Sequence, residues 1–136
     1  MSAGDVANFD KQACDQANEF LQLYYEVIDR RRERLGFMYR DDSTIVWNGN
    51  PTNGVDAIGK FLTALPETQH TVQSMDVQRL SPVAVRGYGS EALTALVAGI
   101  VDVGGMEHGF TQSMILVIDD DSKKPKILSD RFRYVD

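Results

Sequence analysis

Arg131 and Arg133 stand two residues apart in the run Lys126-Ile127-Leu128-Ser129-Asp130-Arg131-Phe132-Arg133-Tyr134-Val135. Successive side chains of a strand point to opposite sides of a sheet, so the run divides into two faces. Leu128, Phe132 and Tyr134 make one apolar face, and Ile127, Arg131, Arg133 and Val135 make the other. Two planar guanidinium groups set among branched aliphatics suit a surface that another chain covers, each offering a fork of N–H donors to a carboxylate. A half-solvated edge strand accounts for the same residues, and the strand alone does not separate the two readings.

The residue types also allow acid–base chemistry, with a carboxylate or histidine as general base and a tyrosine donating to a developing oxyanion. The candidates are Tyr24 or Tyr25 as donor, Asp42 or Asp76 as base, and His70 or His108 as proton carrier. Each has a plainer role. Adjacent tyrosines on a helix point about 100° apart, so at most one is expected to face an interior, where its ring fills space. Asp42 sits beside Asp41 in a polar turn. His70 follows Glu67-Thr68-Gln69 and His108 lies among glycines, so neither is on a run that reads as buried. No convergent acid–base set is visible, and catalysis is not expected. Nor is a metal or cofactor, because His70 and His108 are far apart and Cys14 is the single cysteine.

At 136 residues, 43% of them hydrophobic and 25% charged, the chain has the composition of one globular domain spanning 1–136. A net charge of −6 repels phosphate backbones, which argues against direct nucleic-acid binding. The basic cluster Arg30-Arg31-Arg32 and Arg34 reads as a solvated helix end. One cysteine leaves no disulfide framework, and the start has no signal-peptide pattern, so an intracellular, reduced setting is expected. No apolar run approaches the ~20 residues that span a bilayer, so no membrane role is expected.

The elements that must position these side chains follow from periodicity. Ala13, Ala17, Phe20, Leu21, Tyr24, Val27 and Ile28 recur at three-and-four spacing and predict a helix from about Phe9 to Leu35, capped by Asp5, Asn8 or Asp10 and stopped at Gly36. Phe37-Met38-Tyr39 forms a short turn before a strand at Ser43–Trp47, which Asn48-Gly49-Asn50-Pro51 breaks. A second helix runs from about Val55 to Leu65 and ends at Pro66. Strands follow to the end: Thr71 to Leu80, interrupted at Ser81-Pro82; Leu93 to Val103, with Gly99 at a bulge or bend; Phe110 to Ile118; and the final run after the solvated 119–125 loop. Helices first and hairpin-linked strands after give an α+β chain with its helices on one face of an antiparallel sheet. Ile115, Val117, Ile127 and Val135 fall on the uncovered face, which predicts a dimer with itself or with another chain.

Several stretches carry a family resemblance. Phe20, Tyr24, Tyr25 and Asp29-Arg30-Arg31, then Leu35, Tyr39, Val46-Trp47-Asn48-Gly49-Asn50, Leu65-Pro66, Phe110-Thr111-Gln112 and Ser129-Asp130-Arg131-Phe132-Arg133 resemble the nuclear transport factor 2 (NTF2) family over nearly the whole chain. More narrowly, the chain looks like the family's small export subunits, which pair with a TAP-type mRNA export receptor. The resemblance implies a cystatin-like cone, a curved antiparallel sheet wrapped around the long first helix, with its outer face as a dimer interface; the apolar residues Phe37, Phe61, Phe132 and Tyr134 are sufficient to plug such a cone. It implies a non-enzymatic subunit, shuttling between nucleus and cytoplasm, that meets FG nucleoporins through the assembled complex. It assigns Arg133 a buried salt bridge to an aspartate of the receptor's large subunit. Arg131 lies at the same interface with less weight. Removing one partner of such a pair costs about 2–5 kcal/mol. The resemblance weakens the case for Ran–GDP, because Asn48 stands where the Ran carrier has an acidic residue beside its tryptophan. The alternatives are a homodimeric Ran–GDP carrier and a cone-fold isomerase or dehydratase, since one fold hosts both binding proteins and enzymes.

Overall fold

The structure, a computed structural model, describes residues 3–80 and 91–135. The break expected at Ser81-Pro82 lies outside the described residues. Helix α1 (Ala3–Arg30) carries the expected stripe: Ala13, Ala17, Leu21, Tyr24, Val27 and Ile28 are all buried. Asn8 and Asp10 lie inside this helix and do not cap it, and Asp10 instead pairs with Arg79 at 3.1 Å.

The helix stops before Leu35. Arg31 leaves helical geometry (φ −144°, ψ 50°), and a 3₁₀ helix follows from Arg32 to Met38. Arg32 explains the break and corrects the reading of the cluster as wholly solvated. Its Nε donates to the carbonyl of Ile28 at 2.9 Å, taking an acceptor that the continuing helix would have used. Its Nη1 donates to the carbonyls of Leu62 and Leu65, at 3.2 and 2.6 Å, and Nη2 reaches the Pro66 carbonyl and Thr68 Oγ1. One guanidinium thus closes the ends of two helices, while Arg30, Arg31 and Arg34 are exposed. Arg32→Ala is expected to lower stability by about 2 kcal/mol, because hydrogen bonds to charged groups contribute about 1.5–3 kcal/mol and several carbonyls lose their donor together. Urea unfolding of the variant checks this, and Arg32→Lys, lacking the fork, should recover little.

Helix α2 (Val55–Ala64) packs Ile58 and Leu62 inward. Six strands, β1 (Tyr39–Trp47), β2 (Asn50–Asn53), β3 (Thr68–Arg79), β4 (Ala92–Val103), β5 (Met106–Ile118) and β6 (Pro125–Tyr134), form one sheet in the order β2-β1-β6-β5-β4-β3. Four of the five pairings are antiparallel. The pairing of β1 with β6 is parallel, so the sheet is mixed where an antiparallel one was expected. β6, last in the chain, inserts between β1 and β5, antiparallel to β5 and running in the same direction as β1.

Turn chemistry matches position. Asn48 (φ 48°) and Gly49 (φ 87°) make the two-residue link from β1 to β2, and Gly104 (φ 59°) and Gly105 (φ 93°) link β4 to β5. Gly99 faces a bulge rather than forming one. The register slips between Val72 and Ser74 on β3, and a Cβ on Gly99 would lie 2.1 Å from the Thr71 carbonyl oxygen.

The sheet curves around α1, whose Leu21, Tyr24 and Ile28 share a core with Val97, Val101, Phe110, Met114 and Phe132. That enclosure buries both Tyr24 (0% exposed) and Tyr25 (6%), against the expectation that only one faces inward. Phe37 is 77% exposed and does not plug the cone. The aromatic filling is instead Phe132 stacked on Trp47 (3.9 Å, 6°) and on Phe110 (5.3 Å, 11°), with Phe61 edge-on to Trp47.

Candidate partner-docking face

Burial alternates along the last two strands and defines two sides of the sheet. On β5, Phe110, Gln112, Met114 and Leu116 point inward and are buried, while Thr111, Ser113 and Ile115 point outward and are exposed. On β6, Asp130 and Phe132 point inward, and Arg131 and Arg133 outward. Val135, just past the strand, continues the outward series at 58% exposed, its N–H bonded to the Gly109 carbonyl.

Two of the expected docking residues are not available on that face. Ile127 is 0% exposed and belongs to the main core. The cause is a bulge: Leu116 pairs with Ile127 and Ile115 with Ser129, so Leu128 is an extra residue that reverses the alternation. Val117 does point outward but is also 0% exposed, because Leu128, pushed out by the same bulge, and Leu80 cover it together with Ala92. Arg131, Arg133, Ile115 and Val135 remain on the open surface.

Cross-strand register arranges that surface in rows. Asp76, Leu96, Ser113 and Arg131 are successive partners across β3, β4, β5 and β6, and the adjoining row runs Ser74, Ala98, Thr111 and Arg133. These residues line one shallow hollow of about 500 Å³. Leu96, 56% exposed near its centre, escaped the sequence reading. The available signal was parity: it is a large aliphatic residue out of phase with Leu93, Ala95 and Val97. Among the described residues neither Arg131 nor Arg133 makes a hydrogen bond or ion pair, so both guanidinium groups are free to meet a carboxylate.

The interior holds a polar cluster that the sequence reading also missed. Asp130, 0% exposed, accepts from the Tyr39 hydroxyl at 2.8 Å, the Tyr24 hydroxyl at 3.4 Å and Gln112 Nε2 at 2.8 Å. The Tyr25 hydroxyl in turn donates to Gln112 Oε1 at 2.7 Å. Burial raises the Asp130 pKa above the ordinary carboxylate value, and the three donors hold it back. Burial, followed by the Asp130 charge, pushes the Tyr24 and Tyr39 hydroxyls well above theirs. Asp130 shares parity with Phe132 and Tyr134, and a lone carboxylate on an otherwise apolar face was the signal for it.

A carboxylate between tyrosines is the composition of an acid–base site, and this one is buried: Asp130 and Tyr24 are 0% exposed and Tyr39 4%. The named base candidates lie elsewhere. Asp42 is an exposed strand residue paired with Arg40 at 3.0 Å, and Asp76 is exposed on the outer face.

His70 corrects another expectation. Its side chain is 1% exposed, edge-on to Phe110, with Nδ1 2.7 Å from Asp29 Oδ1. Asp29 also accepts from the His70 backbone N–H and from Thr68 Oγ1, both at 2.8 Å. Its own partial burial raises its pKa, but these bonds from His70 and Thr68 outweigh burial and hold the carboxyl below its ordinary value. The pair clamps α1 to the start of β3. His108 stacks on Tyr134 at 4.0 Å and stands level with His70 across the sheet, two strands away, with Val101 between them.

Asn48 is engaged structurally: its Oδ1 accepts from the Tyr134 N–H at 2.8 Å and ties the β1–β2 turn to β6. Among the described residues no group of three or more metal-ligating side chains occurs, and no helix is long and apolar enough to cross a membrane.

Comparison with known proteins places this architecture. The family model for the nuclear transport factor 2 (NTF2) domain matches residues 16–134. The chain is 48% identical to the NTF2-related export protein of Caenorhabditis elegans over 133 residues, covering 97% of this chain and 95% of that protein. It is 35% identical to NTF2-related export protein 2 of Homo sapiens over 136 residues, covering 97% and 94%. Among solved structures, nuclear transport factor 2 from Cryptosporidium parvum shares the fold, with a TM-score of 0.75 and 21% identity, over 93% of this chain and 97% of that one. With a family match over most of its length and relatives named NTF2-related export proteins, the chain belongs to the nuclear transport factor 2 family.

Proposed function

We propose that this chain is a non-enzymatic subunit that pairs through its outer sheet face with the homologous domain of a TAP-type mRNA export receptor. The pair would shuttle between nucleus and cytoplasm, with FG nucleoporins met by the receptor or by the assembled complex. The observation that carries this reading is the outer face itself: two unpartnered arginines, Arg131 and Arg133, flanked by exposed Leu96, Ile115 and Val135. Exposed aliphatic residues rimmed by cations mark an interaction surface more often than a solvated one. The closed interior favours scaffold over enzyme, since the carboxylate at Asp130 has no solvent access. Ran–GDP carriage fits less well, because the Asn48 side chain beside Trp47 is uncharged and already bonded to β6.

Arg133→Ala is expected to weaken capture of the receptor domain by about 2 kcal/mol, roughly 30-fold, by leaving its carboxylate partner unpaired at a covered interface. The isolated fold should keep its melting temperature, because the exposed Arg133 side chain makes no hydrogen bond or ion pair among the described residues. Calorimetric titration of purified receptor domain into wild type and variant checks the first part, and thermal unfolding of each alone checks the second. Unchanged affinity would remove the assignment, and tight binding of Ran–GDP in the same format would replace it.

A further inference from the structure

We infer that Asp76 is a second recognition charge on the outer face, and that the face orients its partner by a positive pole on β6 and a negative pole on β3. This rests on the receptor-pairing reading and deepens it.

The geometry is a single row. Asp76 pairs in register with Leu96, Leu96 with Ser113 and Ser113 with Arg131, so an anion and a cation stand at opposite ends of one line across four strands. Strand spacing of about 4.8 Å sets the two charges about 14 Å apart. That exceeds the Debye length of about 8 Å at physiological ionic strength, so neither neutralises the other within the chain. The Asp76 side chain is exposed and makes no hydrogen bond or ion pair among the described residues. Arg133, one row away, reinforces the positive end, and Leu96 with Ala98 provides an apolar centre.

A covering surface must therefore present a carboxylate over β6, an apolar patch over Leu96 and a cation over β3. The arginines alone specify attraction, and a partner turned end for end could still meet them. Adding Asp76 penalises that reversed pose, which sets a like charge against each pole. The occupant so specified is the receptor's homologous domain carrying a lysine or arginine opposite Asp76.

The test compares wild type, Asp76→Asn, Asp76→Lys and Arg133→Glu against purified receptor domain by surface plasmon resonance at 50 mM and 500 mM salt. All four are checked for unchanged circular dichroism and melting temperature. Asp76→Asn is expected to weaken binding about 3-fold and Asp76→Lys at least 10-fold at low salt, the Asp76→Lys defect shrinking at high salt. A merely structural defect would not shrink. Asp76→Lys within twofold of wild type, while Arg133→Glu binds poorly, would overturn the inference and leave the pairing intact. No binding by wild type would overturn the pairing itself. A wild-type homodimer seen by light scattering and abolished by Asp76→Lys would put a second copy on this face and overturn the commitment to the receptor.

Discussion

Phe132→Ala is expected to cost about 3–5 kcal/mol, a large part of the 5–15 kcal/mol that keeps a domain of this size folded. Phe132 is 2% exposed and sits between Trp47 at 3.9 Å and Phe110 at 5.3 Å, nearly parallel to both. It also meets Tyr134 and His70 edge-on. Truncation removes its apolar area, opens a cavity and ends two stacks, each contributing about 0.5–1.5 kcal/mol beyond area. Trp47 is the chain's one tryptophan, so its fluorescence reports directly on the stack during urea unfolding. The midpoint should fall by a large fraction, and Phe132→Leu should fall between the two. A loss under about 1 kcal/mol would mean the stack does not hold β6. Because Arg131 and Arg133 flank Phe132 in sequence, a variant that loosens β6 should also lose partner capture, but in proportion to its unfolded fraction. Arg133→Ala, by contrast, loses capture while fully folded.

The second large effect concerns Asp130. Asp130→Leu removes the short acceptor contacts of the Tyr39 hydroxyl and Gln112 Nε2 and leaves both to the longer 3.3 Å contacts with the Tyr24 hydroxyl, at about 1–3 kcal/mol in all. Asp130→Asn keeps an acceptor toward Gln112 and places an amide that the tyrosine oxygens can accept, so most of that loss should be recovered. Wild type and Asp130→Asn also separate by pH. Burial raises the Asp130 pKa, so its contribution to stability is fully present below the unfolded value near 3.9. That contribution is lost as pH rises through the folded value. Asn has no such dependence. The stability of wild type relative to Asp130→Asn should therefore decline as pH is raised from about 4, in urea titrations run in steps to pH 8. Asp29 acts in the opposite sense: its lowered pKa gives a contribution present above about 3.9 and lost as pH falls through the folded value. It is common to both proteins and cancels in the difference. A flat difference curve would show that Asp130 is not a buried ionisable group.

Much of the scaffold could be read residue by residue because local signals agreed. The apolar stripe of α1, Pro66 after α2 and the Asn48-Gly49 link each have a short-range cause, and each lies where its chemistry requires. What misled was alternation carried across an irregularity. Reading Ile127 and Arg131 as one face assumes an uninterrupted strand, and one bulged residue, Leu128, exchanges the two sides. Burial of His70, of both tyrosines and of Asp130 was equally illegible, because each depends on which other segment arrives. Asp130 would be an exposed strand carboxylate if Tyr24, Tyr39 and Gln112 did not converge on it from α1, β1 and β5.

By itself the sequence determined both α-helices, five of the six strands, the family and the presence of a paired-arginine strand, because these follow from periodicity, turn preferences and motifs carried by neighbouring residues; the short strand at Asn50–Asn53, read as a break, exists only by pairing with β1. Only the tertiary structure decided which side of that strand faces outward, that Asp76 and Leu96 share a row with Arg131, and that Asp130 is buried among tyrosine hydroxyls. Those outcomes depend on register and on contacts between residues about 20 to 106 positions apart along the chain, which local side-chain chemistry does not encode singly.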